Sequence, residues 1–135
     1  MLKRFNPTSD DFEELYKRED PWGMDGSFTD IIRIKIINKY FKNQEFNQGI
    51  DVGCGEGFFT SKLSFIKHKT GIDISSLAIK RASKKYSKIN FMVGNPFKEK
   101  LINRKYDFVS CFEVLYYPNS KEDREKYITN LLELG

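Results

Sequence analysis

At 135 residues the chain has room for one compact domain and not for two. Its 39% apolar and 15% aromatic residues can bury a core, which excludes wholesale disorder. The net charge of +4, from 23 basic and 19 acidic residues, is mild, and the lysines lie among Ile, Asn and Phe, which argues against a nucleic-acid patch. Along the chain, Thr8 or Ser9 caps a short helix over 8–18 with Phe12, Leu15 and Tyr16 on one face. "REDPWGMDGS" follows as a turn-rich break around Pro21, Gly23 and Gly26. In "FTDIIRIKIINKYF", Ile32, Ile34 and Ile36 alternate like a strand, yet Phe28, Ile32, Ile36 and Tyr40 also form an i, i+4 stripe; length and the cap Ser27 favour a helix.

From residue 46 onwards short apolar runs alternate with helical stretches. The runs are Ile50–Val52, Thr70–Ile74, Ile89–Val93 and Tyr106–Val114. Helices are expected near 57–66, anchored by Phe59, Leu63 and Ile66, and near 75–87, with a less regular link at 96–105. Ser120 caps a last helix striped by Tyr127, Ile128, Leu131 and Leu132. This alternation predicts an α/β fold with a parallel sheet, whose ligands sit outside the carboxyl ends of the strands.

Cys54 and Cys111 are far apart, with no C-x-x-C spacing, and read as reduced core thiols; His68 is a solvated loop residue. Zinc sites and histidine-dependent triads are poorly supplied. No apolar run approaches the roughly 20 residues of a membrane span, and the N-terminus lacks a signal-peptide pattern, so a cytoplasmic protein is expected.

The chemistry-bearing stretch is "GIDVGCGEGFF", residues 49–59. Glycines at 53, 55 and 57 behind a strand let backbone N–H groups and a helix N-terminus approach a ligand without obstruction by Cβ atoms. Alone, the pattern also fits a plain turn. The next strand ends "TGIDIS", which puts Asp73 about 20 residues past the turn, where a carboxylate can accept both ribose hydroxyls of an adenosine. Asp73 also suits a helix cap, although Ser75 and Ser76 are available for that. The spacing G-x-G-x-G, with Phe58 in the sixth position, departs from the dinucleotide fingerprint, and Asp51 inside the strand suits a ligand carrying an ammonium group.

"IDVGCGEGFFTSKL" resembles the first motif of the class I S-adenosylmethionine-dependent methyltransferases, "GIDIS" their second and "YDFVSCFEVLYY" their fourth-strand motif. With "YKREDPWGMDGSF" upstream and "EVLYYP" downstream, the chain is similar to the nodulation-type N-methyltransferase subgroup, which acts on a chitooligosaccharide amine. The resemblance covers nearly the whole chain. It implies a Rossmann-like sheet of about four strands in order 3-2-1-4, with a helical cap at about 8–43 and a core at about 46–135. The family's sheet continues beyond "LLELG", so the resemblance implies a C-terminally truncated fold with the fourth strand at an open edge, which a partner chain or a second copy would cover.

For S-adenosylmethionine, the resemblance implies that Asp51, Gly53, Cys54 and Gly55 face the methionine portion and Asp73 the ribose. Ile74 would pack on the adenine and Asn95 would contact its amino group, while Pro96 removes an N–H that the family often offers. Phe112 would supply a backbone carbonyl to the ammonium, and Trp22 and Asp25 belong to a segment that folds over the cofactor. Trp22 equally reads as a staple for the first loop, Asn95 as a strand terminator, and Tyr116 and Tyr117 as packing aromatics. Glu113, with Tyr116 behind it, is the candidate proton acceptor for methyl transfer to an amine or hydroxyl of a small molecule or saccharide. The alternatives are a cofactor-binding subunit without turnover and an NAD-dependent oxidoreductase. A nucleic-acid methyltransferase lacks its tetrapeptide, since "NPF" follows the third run and has no second proline.

Overall fold

The computed structural model describes residues 7–95, 105–115, 117–118 and 120–135. Four parallel strands, β1 (Phe46–Val52), β2 (Ile66–Asp73), β3 (Asn90–Val93) and β4 (Phe108–Ser110), pair in the order β3-β2-β1-β4. Five helices accompany them: α1 (Ser9–Leu15), α2 (Phe28–Tyr40), α3 (Phe58–Lys62), α4 (Ser76–Lys85) and α5 (Lys121–Leu134). This is the expected Rossmann-like order.

Side-chain oxygens start four of the helices. Thr8 forms a capping box with Asp11 on α1, and Ser27, Ser75 and Ser120 accept N–H bonds at the first turns of α2, α4 and α5. The stretch that also read as a strand is therefore helix α2. On α5 the lower face of the sheet is covered by Leu131 and Leu134, which pack with Met92 and Val109 against Ile50, Val52, Ile72 and Tyr106. Fully burying Ile50, Val52 and Ile72 stabilises the fold by roughly 1.5–3 kcal/mol each. Two members of the expected α5 stripe fall elsewhere, with Ile128 and Leu132 exposed.

The opposite face carries a cluster absent from the sequence expectations. Phe41, at the end of α2, meets Phe65, Phe108 and Phe46 with ring centroids 4.6, 5.3 and 5.9 Å away, and Leu63, Ile66 and Ile37 fill around them. This cluster explains three shifted boundaries. Phe46 and Ile66 are drawn into β1 and β2, so those strands begin earlier than 50 and 70, and Ile66 opens a strand instead of anchoring a helix. The helix behind the glycine turn is correspondingly short, ending at Lys62 because Leu63 turns the chain toward Phe65. β4 stops at Ser110, short of the expected Val114, because Phe112 stacks on Phe59 at 4.8 Å and Glu113 adopts φ +55°, outside strand geometry. Most of the link at 96–105, including Pro96, lies outside the described residues, as does Tyr116.

Candidate functional site

Hydrogen bonds tie the turn after β1 to the end of β2: Gly53 and Cys54 N–H donate to the Ile72 carbonyl at 2.8 and 3.1 Å. Gly55 N–H donates to Asp73 Oδ2 at 2.8 Å, and Ser75 N–H donates to Asp73 Oδ1 at 2.9 Å. Helix α4 is capped by the Ser75 hydroxyl, which accepts from Ala78 N–H at 3.1 Å, so Asp73 spans two turns and does not serve as the helix cap. Gly53 and Gly55 hold φ +75° and +53°, a left-handed region unfavourable to residues with a Cβ. A Cβ on Gly53 would collide with Val114 Cγ2, and one on Gly55 would come within 2.6 Å of Tyr16 Oη.

A cleft of about 880 Å³ opens over this turn, within the range of small-ligand sites. Asp51, Gly53, Cys54, Gly55, Asp73, Ile74, Asn95, Phe112, Glu113 and Trp22 all line it. The structure thus brings these residues together, whereas Asp25, paired with Lys85, and Gly57 are not part of the cleft lining. Cys54 contributes backbone, since its thiol is buried, packs near Gly71 and is pushed well above its usual range by burial. The Phe112 ring stacks on Phe59, another residue of the lining.

Asp51 is 3% exposed and accepts two hydroxyl hydrogen bonds, from Thr60 at 2.6 Å and Ser110 at 2.8 Å. Burial pushes its carboxyl up to about 6, against the lowering effect of both hydroxyls, and Asp73 adds to the rise. Burial also raises Asp73, opposed by the Ser75 and Gly55 N–H groups. Buried carboxylates in a glycine-walled cleft suit a ligand with a cation at one end and hydroxyls at the other.

The N-terminal segment closes over the cleft. Tyr16 is buried, its hydroxyl accepts from Trp22 Nε1 at 3.0 Å, and burial pushes its pKa well above the usual phenol range, which keeps it protonated. Phe12 meets Tyr117 edge-on at 5.3 Å. Charged groups then fasten the segment to the core. Arg81 of α4 donates to Glu56 at 2.7 Å and to the Arg18 carbonyl at 3.0 Å, Lys85 pairs with Asp25, and Glu13 accepts from the Ser76 and Leu77 N–H groups. At the other wall Glu113 pairs with Arg33 of α2, which also lies 3.4 Å from Asp30.

Thr60, Ser110, Arg33 and Arg81 were missed from sequence. Aligning the strands would have flagged Ser110, since it is the register partner of Asp51. Long-range ion pairs such as Arg33–Glu113 leave no local pattern.

The family Nodulation protein S (NodS) matches residues 8–135. The chain belongs to the NodS family. Nodulation protein S from Azorhizobium caulinodans is 25% identical over 118 residues, covering 85% of this chain and 57% of that one. The N-methyltransferase NodS from Bradyrhizobium japonicum WM9, solved with S-adenosyl-L-homocysteine, superposes with a TM-score of 0.79 at 25% identity, over 93% of this chain and 66% of that one. A methyltransferase from Clostridium acetobutylicum, at 22% identity and a TM-score of 0.65, covers 90% of this chain and 51% of its own and shares the fold. The chain thus spans less than two thirds of the length of these NodS relatives. Its Rossmann-like fold is that of S-adenosylmethionine-dependent methyltransferases, and no described helix is long and apolar enough to cross a membrane.

Proposed function

We propose that this NodS-family chain binds S-adenosylmethionine in the cleft over its glycine turn and transfers the methyl group to an amine or hydroxyl of a small molecule or saccharide, in the cytoplasm. The observation that carries the reading is the Gly55–Asp73 hydrogen bond, which makes one cradle of two strand ends. Asp73 would receive the ribose hydroxyls, Ile74 the adenine face and Asn95 the adenine amino group. The backbone of Gly53, Cys54 and Gly55, with Asp51 and the Phe112 carbonyl, would receive the amino-acid end. Trp22, held by Tyr16, would cover the bound cofactor. A partner chain or second copy would cover the outer edge of β4.

The cofactor supplies an electrophilic methyl on a sulfonium. The chain's task is alignment of the acceptor with that methyl, worth several kcal/mol. An amine acceptor attacks as the neutral base, so a group at the cleft wall must take its proton. Glu113 is that group, with Tyr116 as the second candidate outside the described residues. Because Glu113 is engaged by Arg33, a second reading, cofactor binding without turnover, has a specific motive.

Calorimetric titration with S-adenosyl-L-homocysteine and, separately, NADH tests the proposal. Saturable binding of the former in the micromolar-to-millimolar range is expected, with no heat from NADH. Absence of S-adenosyl-L-homocysteine binding at millimolar concentration would eliminate it, and NADH binding would turn the reading toward an oxidoreductase. Transfer from labelled S-adenosylmethionine to amine acceptors then separates turnover from binding alone.

A further inference from the structure

We propose that Thr60 and Ser110 are positioning residues that aim the Asp51 carboxylate into the cleft and set the pH at which it is ready to receive a cationic ligand group. The proposal rests on the cofactor reading above.

Its ground is geometry. Asp51 sits in the middle of the sheet, flanked in register by Gly71 on one side and Ser110 on the other. Its neighbours Ile50 and Val52 belong to the apolar cluster under α5, so Asp51 points to the opposite face, toward α3. There Thr60, itself 1% exposed, donates to Oδ2, and Ser110 donates to Oδ1 while also lying 3.4 Å from the Ile50 carbonyl. A carboxylate has about four acceptor positions. Two are taken by the hydroxyls, one on each oxygen, which fixes the plane of the group, and Asp51 itself lines the cleft.

The hydroxyls have an electrostatic effect as well as a geometric one. Desolvation disfavours the ionised form of a buried carboxyl, whereas hydrogen bonds donated to it favour that form. Among the described residues, the titratable neighbours acting on or responding to Asp51 are Asp73 from β2, Cys54 from the glycine turn and Cys111 after β4. Asp73 opposes ionisation, and both thiols remain neutral. No cation offsets these effects, so the two hydroxyls are what keeps Asp51 ionised near neutral pH. A cation at the ligand's amino-acid end binds the ionised form only. Affinity should therefore fall as pH drops through about 6.

The test uses Thr60→Val, which keeps shape and removes the donor, Ser110→Ala, and Thr60→Ser, which restores the donor. Two quantities are read in each full-length variant. One is the titration midpoint of the Asp51 carboxyl carbon by NMR in the free protein. The other is the S-adenosyl-L-homocysteine dissociation constant between about pH 5 and 9. In Thr60→Val and Ser110→Ala the carboxyl midpoint should rise by about one unit. The pH at which affinity falls should rise with it, giving about fivefold weaker binding near pH 6 and near wild-type binding at about pH 8.5. Thr60→Ser should track the wild type. Variants that weaken binding equally at every pH with an unmoved midpoint would reduce the hydroxyls to packing and overturn this proposal alone. A wild-type protein that ignores S-adenosyl-L-homocysteine at every pH would overturn the cofactor reading, and this proposal with it.

Discussion

Asp51 and Asp73 are carboxylates placed where burial works against their charge, and both are held by donors instead of cations. For Asp51 the consequence for stability has a definite sign. Between its ordinary value of 3.8 and its folded value of about 6, the folded protein keeps a proton that the unfolded chain releases, so raising pH through that window removes stability. The loss is on the order of 3 kcal/mol by pH 7. Urea denaturation should show wild-type stability, relative to Asp51→Asn, falling by that order between about pH 4 and 7; a pH-independent difference would contradict the assignment. At Asp73, replacement by alanine leaves the Gly55 and Ser75 N–H groups without their acceptor. Hydrogen bonds to a charged group contribute about 1.5–3 kcal/mol, so calorimetry should find S-adenosyl-L-homocysteine binding at least about tenfold weaker. Gly53→Ala forces a Cβ into a left-handed backbone against Val114. It should cost about 1–2 kcal/mol of stability by thermal unfolding and weaken binding as well.

Among the elements, the N-terminal segment is fastened to the core largely through charged contacts. Its fastenings to α4 run through Arg81 and Lys85, and α1 in turn caps α4 through Glu13. Arg81→Ala should raise hydrogen exchange and protease cleavage across residues 17–25 while leaving β1 and β2 protected. Unchanged exchange in that loop would show that the Tyr16–Trp22 contact holds it unaided. The elements also show what could be read from the chain beforehand. Strand ends at Val52, Asp73 and Val93 were legible because Gly, Asp and Asn punctuate them, and three helix starts were legible as serine caps. Strand beginnings were not, because Phe46, Phe65 and Ile66 join β1 and β2 through an aromatic cluster assembled from segments as distant in sequence as Phe41 and Phe108. The early end of β4 was equally hidden, since it depends on Phe112 finding Phe59. In the site, glycines and acids at fixed spacing announced themselves, whereas Thr60, Ser110 and Arg33 acquire meaning only from what they touch.

At the scale of the molecule, a chain of net charge +4 presents a cleft lined by Asp30, Asp51, Asp73, Glu113 and Asp123, with Lys126 as a basic counterpart. Such a cleft favours ligands with cationic groups over polyanions. The NodS fold contributes the four strands whose carboxyl ends form this wall. On the proposed function, the bends after β1 and β2 make one cradle for an adenosine with an amino-acid tail. Mapping backbone amide NMR shifts during titration with S-adenosyl-L-homocysteine tests it most directly. Saturating shifts are expected at Gly53, Cys54, Gly55, Asp73, Ile74 and Asn95, with the strand starts around Phe46 and Ile66 silent. Shifts confined to other surfaces, or to only one of the two bends, would contradict it.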